Sequence, residues 1–200
     1  MVKLNRKFKV AFLALAMTFP IFTVSASSDK HTSVELEKQA LLENLYRAET
    51  ELKARIAEGA VWQFWFDQSP TETVRTYLDA GIERREAYDY EAAEHHLDKV
   101  VQSAPDYAEG YNQRAFVRYL RGNYYDAQTD LEMALKLEPN HFGALSGLYH
   151  VLQRQDRRDA ALNMLKLAVE IHPWLNERSA LPEEMWPKSY RNLHAPGTEI

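Results

Sequence analysis

Apolar and polar positions recur with a period of 34 residues through the middle of the chain. In residues 108–141, Tyr111 and the small Ala115 stand four positions apart, as on one face of a helix. Gly122 then marks a turn, and Pro139 ends a second segment with helical spacing. The apolar face of that second segment comprises Ala127, Leu131 and Ala134. The pattern predicts two helices joined by a tight turn.

The same pattern returns 34 residues before and 34 residues after this unit. The matching residues are Tyr77, Gly81, Asp89, Ala93, Leu97, Val100 and Pro105 in 74–107, and Leu145, Tyr149, Asp156, Ala161, Leu165, Ala168 and Pro173 in 142–175. Prolines at the same place in each unit close one amphipathic helix pair after another. A fixed period of this length is typical of a solenoid built from stacked helical hairpins.

The pattern resembles the tetratricopeptide repeat, in which a large residue, a small residue, an alanine and a proline recur at fixed places. The resemblance covers residues 74–175 without a gap. It implies an all-α solenoid of three helix-turn-helix repeats, at 74–107, 108–141 and 142–175. Arg114 and Arg118 stand where the family has apolar residues, and Tyr149 stands where it has a small one. We therefore expect looser packing of the third hairpin, unless Gly147 relieves the crowding.

Two stretches carry a narrower resemblance. PDYAEGYNQRAF (105–116) and LEPNHFGALSG (137–147) resemble segments of small exported tetratricopeptide proteins of proteobacteria, especially alphaproteobacteria. This resemblance runs from about residue 35 to residue 175. It implies a periplasmic location and supplies no reaction.

An aromatic segment, VWQFWF (61–66), precedes the repeats. Residues 27–73 are predicted to form an N-terminal capping helix, one long helix over 34–58, followed by this segment. The apolar positions of that helix are Leu41, Leu45, Ala48, Leu52 and Ile56. One interpretation is that Trp62, Trp65 and Phe66 cap the first hairpin, because solenoid ends need covering. They could instead fold into the concave groove or form a patch that binds a partner.

The first 26 residues are predicted to be a secretory signal peptide. Four basic residues precede an apolar run over 10–24, and the small residues of Val24-Ser25-Ala26 form a cleavage site after Ala26. The apolar run is short for a membrane span. We therefore expect export to the periplasm and no membrane contact after cleavage. At the other end, 176–200 is predicted to be a tail with a short helical or extended piece over 183–186.

Removal of the four basic residues at 3, 6, 7 and 9 would leave 20 Lys and Arg against 29 Asp and Glu, a net charge of −9. Such an acidic chain is poorly suited to bind nucleic acid or anionic lipids. A basic partner is weakly favoured. The sequence does not indicate an oligomeric state.

No constellation of acid, base and nucleophile emerges from the sequence, so we expect no enzymatic activity, cofactor or metal. The chain has no cysteine. His95 and His96 are adjacent and point in different directions on a helix. Ser146 in GALSG lacks the spacing of a nucleophile elbow.

The first helices of the repeats are expected to line a concave groove that binds a peptide or protein. Family positions on that face give Arg75, Asp79, Asn112, Gln113, Phe116, Tyr119, Ser146, His150 and Gln153 as contact residues. The lysine that the best-known carboxylate-binding groove of the family requires is replaced by Leu78, Asn112 and Ser146. The prediction is a non-catalytic scaffold of the cell envelope. The alternatives are a structural subunit that uses the aromatic segment as a permanent interface, and a cofactor-binding or metal-binding protein.

Overall fold

The computed structural model describes residues 26–188, with side chains from residue 31 onward. Within that range every regular element is helical. The α-helices are α1 (Ala26–Tyr46), α2 (Glu51–Asp67), α3 (Glu72–Glu86), α4 (Tyr90–Ser103), α5 (Ala108–Leu120), α6 (Tyr124–Leu137), α7 (Phe142–Arg154) and α8 (Arg158–Ile171). Two 3₁₀ turns follow, Asn176–Ala180 and Glu183–Met185. The all-α prediction is confirmed. The predicted signal peptide lies outside the described residues, apart from Ala26, as does the tail beyond 188.

One antiparallel hairpin lies in each 34-residue unit: α3 with α4, α5 with α6, and α7 with α8. The turn inside each hairpin places one residue in the left-handed region, namely Tyr88 (φ 62°), Gly122 (φ 79°) and Asp156 (φ 59°). These three positions are also 34 apart, so the backbone repeats as the sequence does. A left-handed residue after a helix ends it by turning the chain away from the helical path.

Small residues bring the helices of the first hairpin close together. A Cβ atom on Gly81 of α3 would lie 2.7 Å from Cγ of Leu97 in α4. The same position holds the fully buried Ala115 in the second hairpin and the buried Tyr149 in the third. Gly147 faces Leu131 of α6, at 3.0 Å from its would-be Cβ. The small size of Gly147 therefore lets α7 approach the preceding hairpin. Gly147 does not relieve crowding around Tyr149, because it faces Leu131.

The N-terminal segment is a helical hairpin, which corrects the prediction of one long helix over 34–58. The chain leaves α1 at Tyr46, and Thr50 begins α2 by accepting a hydrogen bond from the Lys53 backbone N–H at 3.3 Å. Leu52 and Ile56, predicted to continue the apolar face of α1, are 70% and 67% exposed. The spacing of apolar residues continues across the turn between α1 and α2 because both helices contain such residues. Helix α2, however, buries a different face, which includes Ala54, Val61 and Trp65.

The described residues have two apolar cores. The smaller one belongs to α3, α4 and α5, and includes Val74, Leu78, Leu97 and Val117. The larger one joins α1 and α2 to the second and third hairpins, and includes Leu45, Trp65, Phe142 and Leu165. Met185 and Trp186 of the tail pack against the larger core. The N-terminal hairpin thus shares its core with hairpins that are distant from it in the sequence.

Candidate functional site

Helix α2 lies across the turns that connect one repeat to the next. These turns hold Tyr107, His141 and Leu175, which occupy the same position in successive units. The Tyr107 hydroxyl donates to the Trp65 backbone carbonyl at 3.0 Å. The His141 ring stacks on the Trp65 indole with centroids 3.8 Å apart and planes at 10°. Leu175 is buried and lines the same cavity as Glu58 and Trp62, and His172 just before this turn lies 3.4 Å from Glu58. The helix is therefore fixed at three consecutive turns.

Of the interpretations left open for the aromatic segment, the cap on the first hairpin is wrong for both tryptophans, which belong to the larger core. Trp62 meets Phe142 edge to face, with centroids 5.2 Å apart. It also lies so close to Gly143 that a Cβ there would be 2.3 Å from the indole. Only Phe66 packs against the core of the first hairpin. The tryptophans pack instead on the connection between the second and third units, where His141 and Phe142 offer flat rings and Gly143 leaves room for an indole.

A groove with a cavity volume of about 570 Å³ lies between α2, α5, α7 and the first 3₁₀ turn. Its apolar and aromatic lining comprises Trp62, Phe66, Ala115, Phe116, Tyr119, Leu131, Phe142, Val151 and Leu175. Its polar lining comprises Glu58, Arg85, Asn112, Gln113, Ser146, His150, Asn176 and Glu177. The aromatic segment forms one wall of the groove and does not fill the cavity. Pockets of this size, with apolar walls and a few polar groups, are the usual form of ligand sites.

Six of the nine predicted contact residues line this groove, namely Asn112, Gln113, Phe116, Tyr119, Ser146 and His150. Arg75, Asp79 and Gln153 are not among the lining residues. Arg75 instead donates to Asp79 at 2.9 Å and to Asp67 at 3.1 Å, and its guanidinium lies over the Phe66 ring. This arrangement ties the end of α2 to α3.

A buried carboxylate holds the floor of the groove together. Glu109 is 1% exposed and accepts hydrogen bonds from the Asn112 amide at 3.2 Å and the Gln113 amide at 2.6 Å. His141 Nδ1 accepts from the Ala144 backbone N–H, so its Nε2 carries the proton and donates to Glu109 at 2.8 Å. The two predicted contact amides therefore direct their N–H groups into the protein. Their role in the structure is to build the floor.

The far wall of the groove is formed by Glu177 in the first 3₁₀ turn. Its Oε1 accepts a hydrogen bond from Ser146 Oγ at 3.2 Å and lies 3.0 Å from His150 Nε2. The hydrogen bond from His150 is the main cause that lowers the pKa of the Glu177 carboxyl below its ordinary value of 4.5. The contact fixes the 3₁₀ turn on α7. Reasoning from the repeats missed Glu177 and Glu58, because both lie outside the repeated units.

The Glu177 contact is expected to make stability depend on pH. A carboxyl with a lowered folded pKa binds fewer protons when folded, so its contribution is complete above 4.5 and is lost as the pH falls through the folded value. Urea unfolding should therefore show Glu177→Gln to be less stable than the parent by about 1 kcal/mol at pH 7. We expect the difference to shrink below pH 4.5. A difference that stays constant down to pH 3 would contradict this assignment.

The structure offers no metal site or membrane helix within residues 26–188. No three His, Asp or Glu side chains of the described part are grouped as metal ligands would be. Likewise, none of the described helices is both long and apolar enough to cross a bilayer.

No protein-family model matches the chain. A TPR repeat-containing protein of Rhizobium etli is 38% identical over 77 residues, which are 38% of this chain and 38% of that protein. The chain thus matches less than half the length of this curated relative.

Two solved structures share the fold. The first TPR of Spaghetti (RPAP3), bound to the HSP90 peptide SRMEEVD, aligns with a TM-score of 0.54 and 16% identity, over 62% of this chain and 95% of that one. The complex of the TPR2B domain of yeast Sti1 with an Hsp70 peptide segment (pHsp70) aligns with a TM-score of 0.52 and 19% identity, over 61% of this chain and 99% of that one. The prediction of a tetratricopeptide repeat solenoid is confirmed.

Proposed function

We propose that this tetratricopeptide repeat protein is a non-catalytic interaction module, which binds a peptide or a segment of another protein in the groove between α2, α5 and α7. The groove itself carries the proposal. It combines apolar rings with polar side chains at its rim, the composition that suits an extended or helical peptide. Solved domains of this fold hold peptides, as in the Spaghetti and Sti1 complexes. That likeness supports the class of function by analogy of fold.

The proposed place of action is the cell envelope. Support comes from the first 26 residues, whose basic start, apolar run and small residues have the pattern of a secretory signal. The absence of cysteine makes the chain indifferent to the oxidising conditions of the periplasm.

The geometry around Ser146 favours binding over catalysis. A nucleophilic serine needs a base that accepts its proton, usually a histidine. Here both Ser146 Oγ and His150 Nε2 point to the same Glu177 oxygen, at 3.2 and 3.0 Å. The serine thus donates to a carboxylate of lowered pKa, which is a weak base.

The alternative of a structural subunit with the aromatic segment as its interface is disfavoured by the packing of that segment. Trp65 is 4% exposed, and Phe64 is 7% exposed. Trp62 and Phe66 line the groove. The rings that remain accessible therefore belong to the groove.

The test compares two aromatic side chains. Phe116 lines the groove and is 46% exposed, whereas Tyr125 is 80% exposed on α6 and is not among the groove residues. In crosslinked capture from a native envelope fraction, we expect Phe116→Ala to retain the partner about 10-fold less than the parent, since exposed aromatic anchors dominate such interfaces. Tyr125→Ala should behave as the parent does. Equal capture by both variants would place binding outside the groove.

A further inference from the structure

Two carboxylates face the groove with histidine partners and no lysine or arginine partner among the described residues. Glu58 of α2 accepts from Trp62 Nε1 at 3.3 Å and lies 3.4 Å from His172 Nε2. Glu177 contacts Ser146 and His150. Among the residues that the structure describes, neither forms a salt bridge with lysine or arginine. This contrasts with the acidic groups between the repeats, such as Glu94 and Asp130, which are paired with arginines.

Both groove carboxylates are ionised at neutral pH. The hydrogen bond from His172 is the main cause that lowers the pKa of Glu58, and that from His150 does the same for Glu177. Glu58 and Glu177 both line the same cavity, so their two negative charges face a shared space. Their side chains are 34% and 27% exposed. A cation in this space would be attracted by both carboxylates.

The surroundings of the pair also suit a cation. Aromatic rings, among them Trp62 and Phe142, line the same groove as the carboxylates, and the Trp62 indole donates to Glu58. The face of such a ring attracts a cation, most strongly in the case of tryptophan. Carboxylates beside aromatic faces therefore accept an ammonium or guanidinium group together with its aliphatic stem.

The groove has the opposite charge at the other end of the row of repeats. Arg85 of the first unit donates to the Gln113 side-chain oxygen. Its guanidinium lies 4.9 Å from the centroid of the Phe116 ring, and its side chain is 17% exposed. Charge thus changes along the groove from the carboxylate pair after the third unit to one arginine at the first, whose ion-pair partner Glu86 is exposed and lies 3.8 Å away. This charge distribution favours one orientation of a ligand that carries a cation, with the cation at the carboxylate end of the groove.

We propose that the groove selects a peptide segment with one lysine or arginine seated between Glu58 and Glu177 and an apolar side chain on the rings toward Phe116. This inference rests on the proposed function, since it concerns the same groove. It makes the ligand opposite in charge to the acidic HSP90 peptide that the Spaghetti domain holds.

The test uses synthetic peptides and the full chain without its signal segment. The probes are acetylated and amidated nonapeptides, in which one lysine or arginine precedes a leucine-phenylalanine pair in a glycine-serine background. Matched peptides carry glutamine or glutamate in place of the basic residue. Titration calorimetry should show the basic peptides binding about 10-fold more tightly than the glutamine peptide, and the glutamate peptide binding more weakly still.

Two variants assign this preference to the carboxylates. Glu58→Gln and Glu177→Gln should each reduce the preference for the basic peptides over the glutamine peptide about 10-fold. Glu170→Gln is the control, because it removes the same charge from an exposed position of α8 outside the groove. Circular dichroism checks that each variant is folded.

The outcomes separate the two proposals. The inference is overturned if Glu58→Gln and Glu177→Gln keep the preference for basic peptides over the glutamine peptide. It is also overturned if Glu170→Gln loses that preference as much as they do. It is also overturned if basic peptides bind no better than neutral ones. The proposed function stands in those cases, provided that Phe116→Ala still loses its partner. If Phe116→Ala captures as the parent does, the proposed function fails.

Discussion

Replacing Asp130 with alanine is expected to lower the free energy of unfolding by about 3 kcal/mol, because it leaves two arginines without their buried partner. The Asp130 side chain is 3% exposed. It accepts from Arg114 Nη2 at 2.7 Å and Nε at 2.9 Å, and from Arg118 Nη1 at 2.8 Å. The side chains of both arginines are less than one fifth exposed. Each arginine would keep one other carboxylate partner, Asp98 or Glu94, but solvent could replace Asp130 only in part.

Urea unfolding at neutral pH measures this loss. Glu132→Ala removes an exposed carboxylate from the same helix and should change stability by less than about 0.5 kcal/mol. Equal stability of the Asp130→Ala and Glu132→Ala variants would show that the arginines find other partners.

The two arginines explain a departure from the family pattern. They stand at positions where the tetratricopeptide repeat has apolar residues, yet α5 is a regular helix. The positions remain partly buried because α4 and α6 supply acidic residues opposite them. Arg118 Nε donates to Glu94 at 2.9 Å, and Arg114 Nη1 donates to Asp98 at 2.8 Å. Ion pairs of Arg114 and Arg118 thus take the place of apolar contacts where the first and second hairpins meet.

The helical hairpins could be predicted because their signals are local. Turn residues, small residues and prolines recur within each unit, and a period of 34 needs no knowledge of distant contacts. The same register placed Phe116, Tyr119, Ser146 and His150 on one face, and the structure brings them to one groove. The repeat positions could not predict how far the groove extends, because α2 and the 3₁₀ turn, which form two of its walls, lie outside the repeats. Asp79 and Gln153 occupy equivalent repeat positions but do not line the groove.

The destination of the aromatic segment could not be predicted, because it depends on contacts between residues far apart in the sequence. The Trp65 ring meets His141, and the Trp174 indole donates to the Ala48 carbonyl at 2.8 Å. A useful signal was present in the turns, where Tyr107 and His141 place large rings at the same position of successive units. In a solenoid, such rings line one edge, so they mark a surface that another element can cover.

The hairpin of α1 and α2 should therefore be part of the folding unit, and Trp65→Ala tests this most strongly. We expect the variant to lose about 3–5 kcal/mol in urea unfolding, the usual cost of truncating a buried large aromatic residue. Trp65 is 4% exposed and stacks on His141, and it also contacts Phe142 with centroids 5.1 Å apart. Its removal would open a cavity between α2 and the third hairpin.

Leu52→Ala is the matched control on α2, since Leu52 is 70% exposed. It should cost less than about 0.5 kcal/mol. A hairpin that merely covered the end of the solenoid would respond differently. Trp65→Ala would then release α1 and α2 in a separate early transition, while the repeats unfolded at the parent midpoint. A single transition at lower urea would instead show that the repeats depend on the tryptophan. The wall of the groove that α2 forms would then belong to the same folding unit as the repeats, although α2 lies outside them.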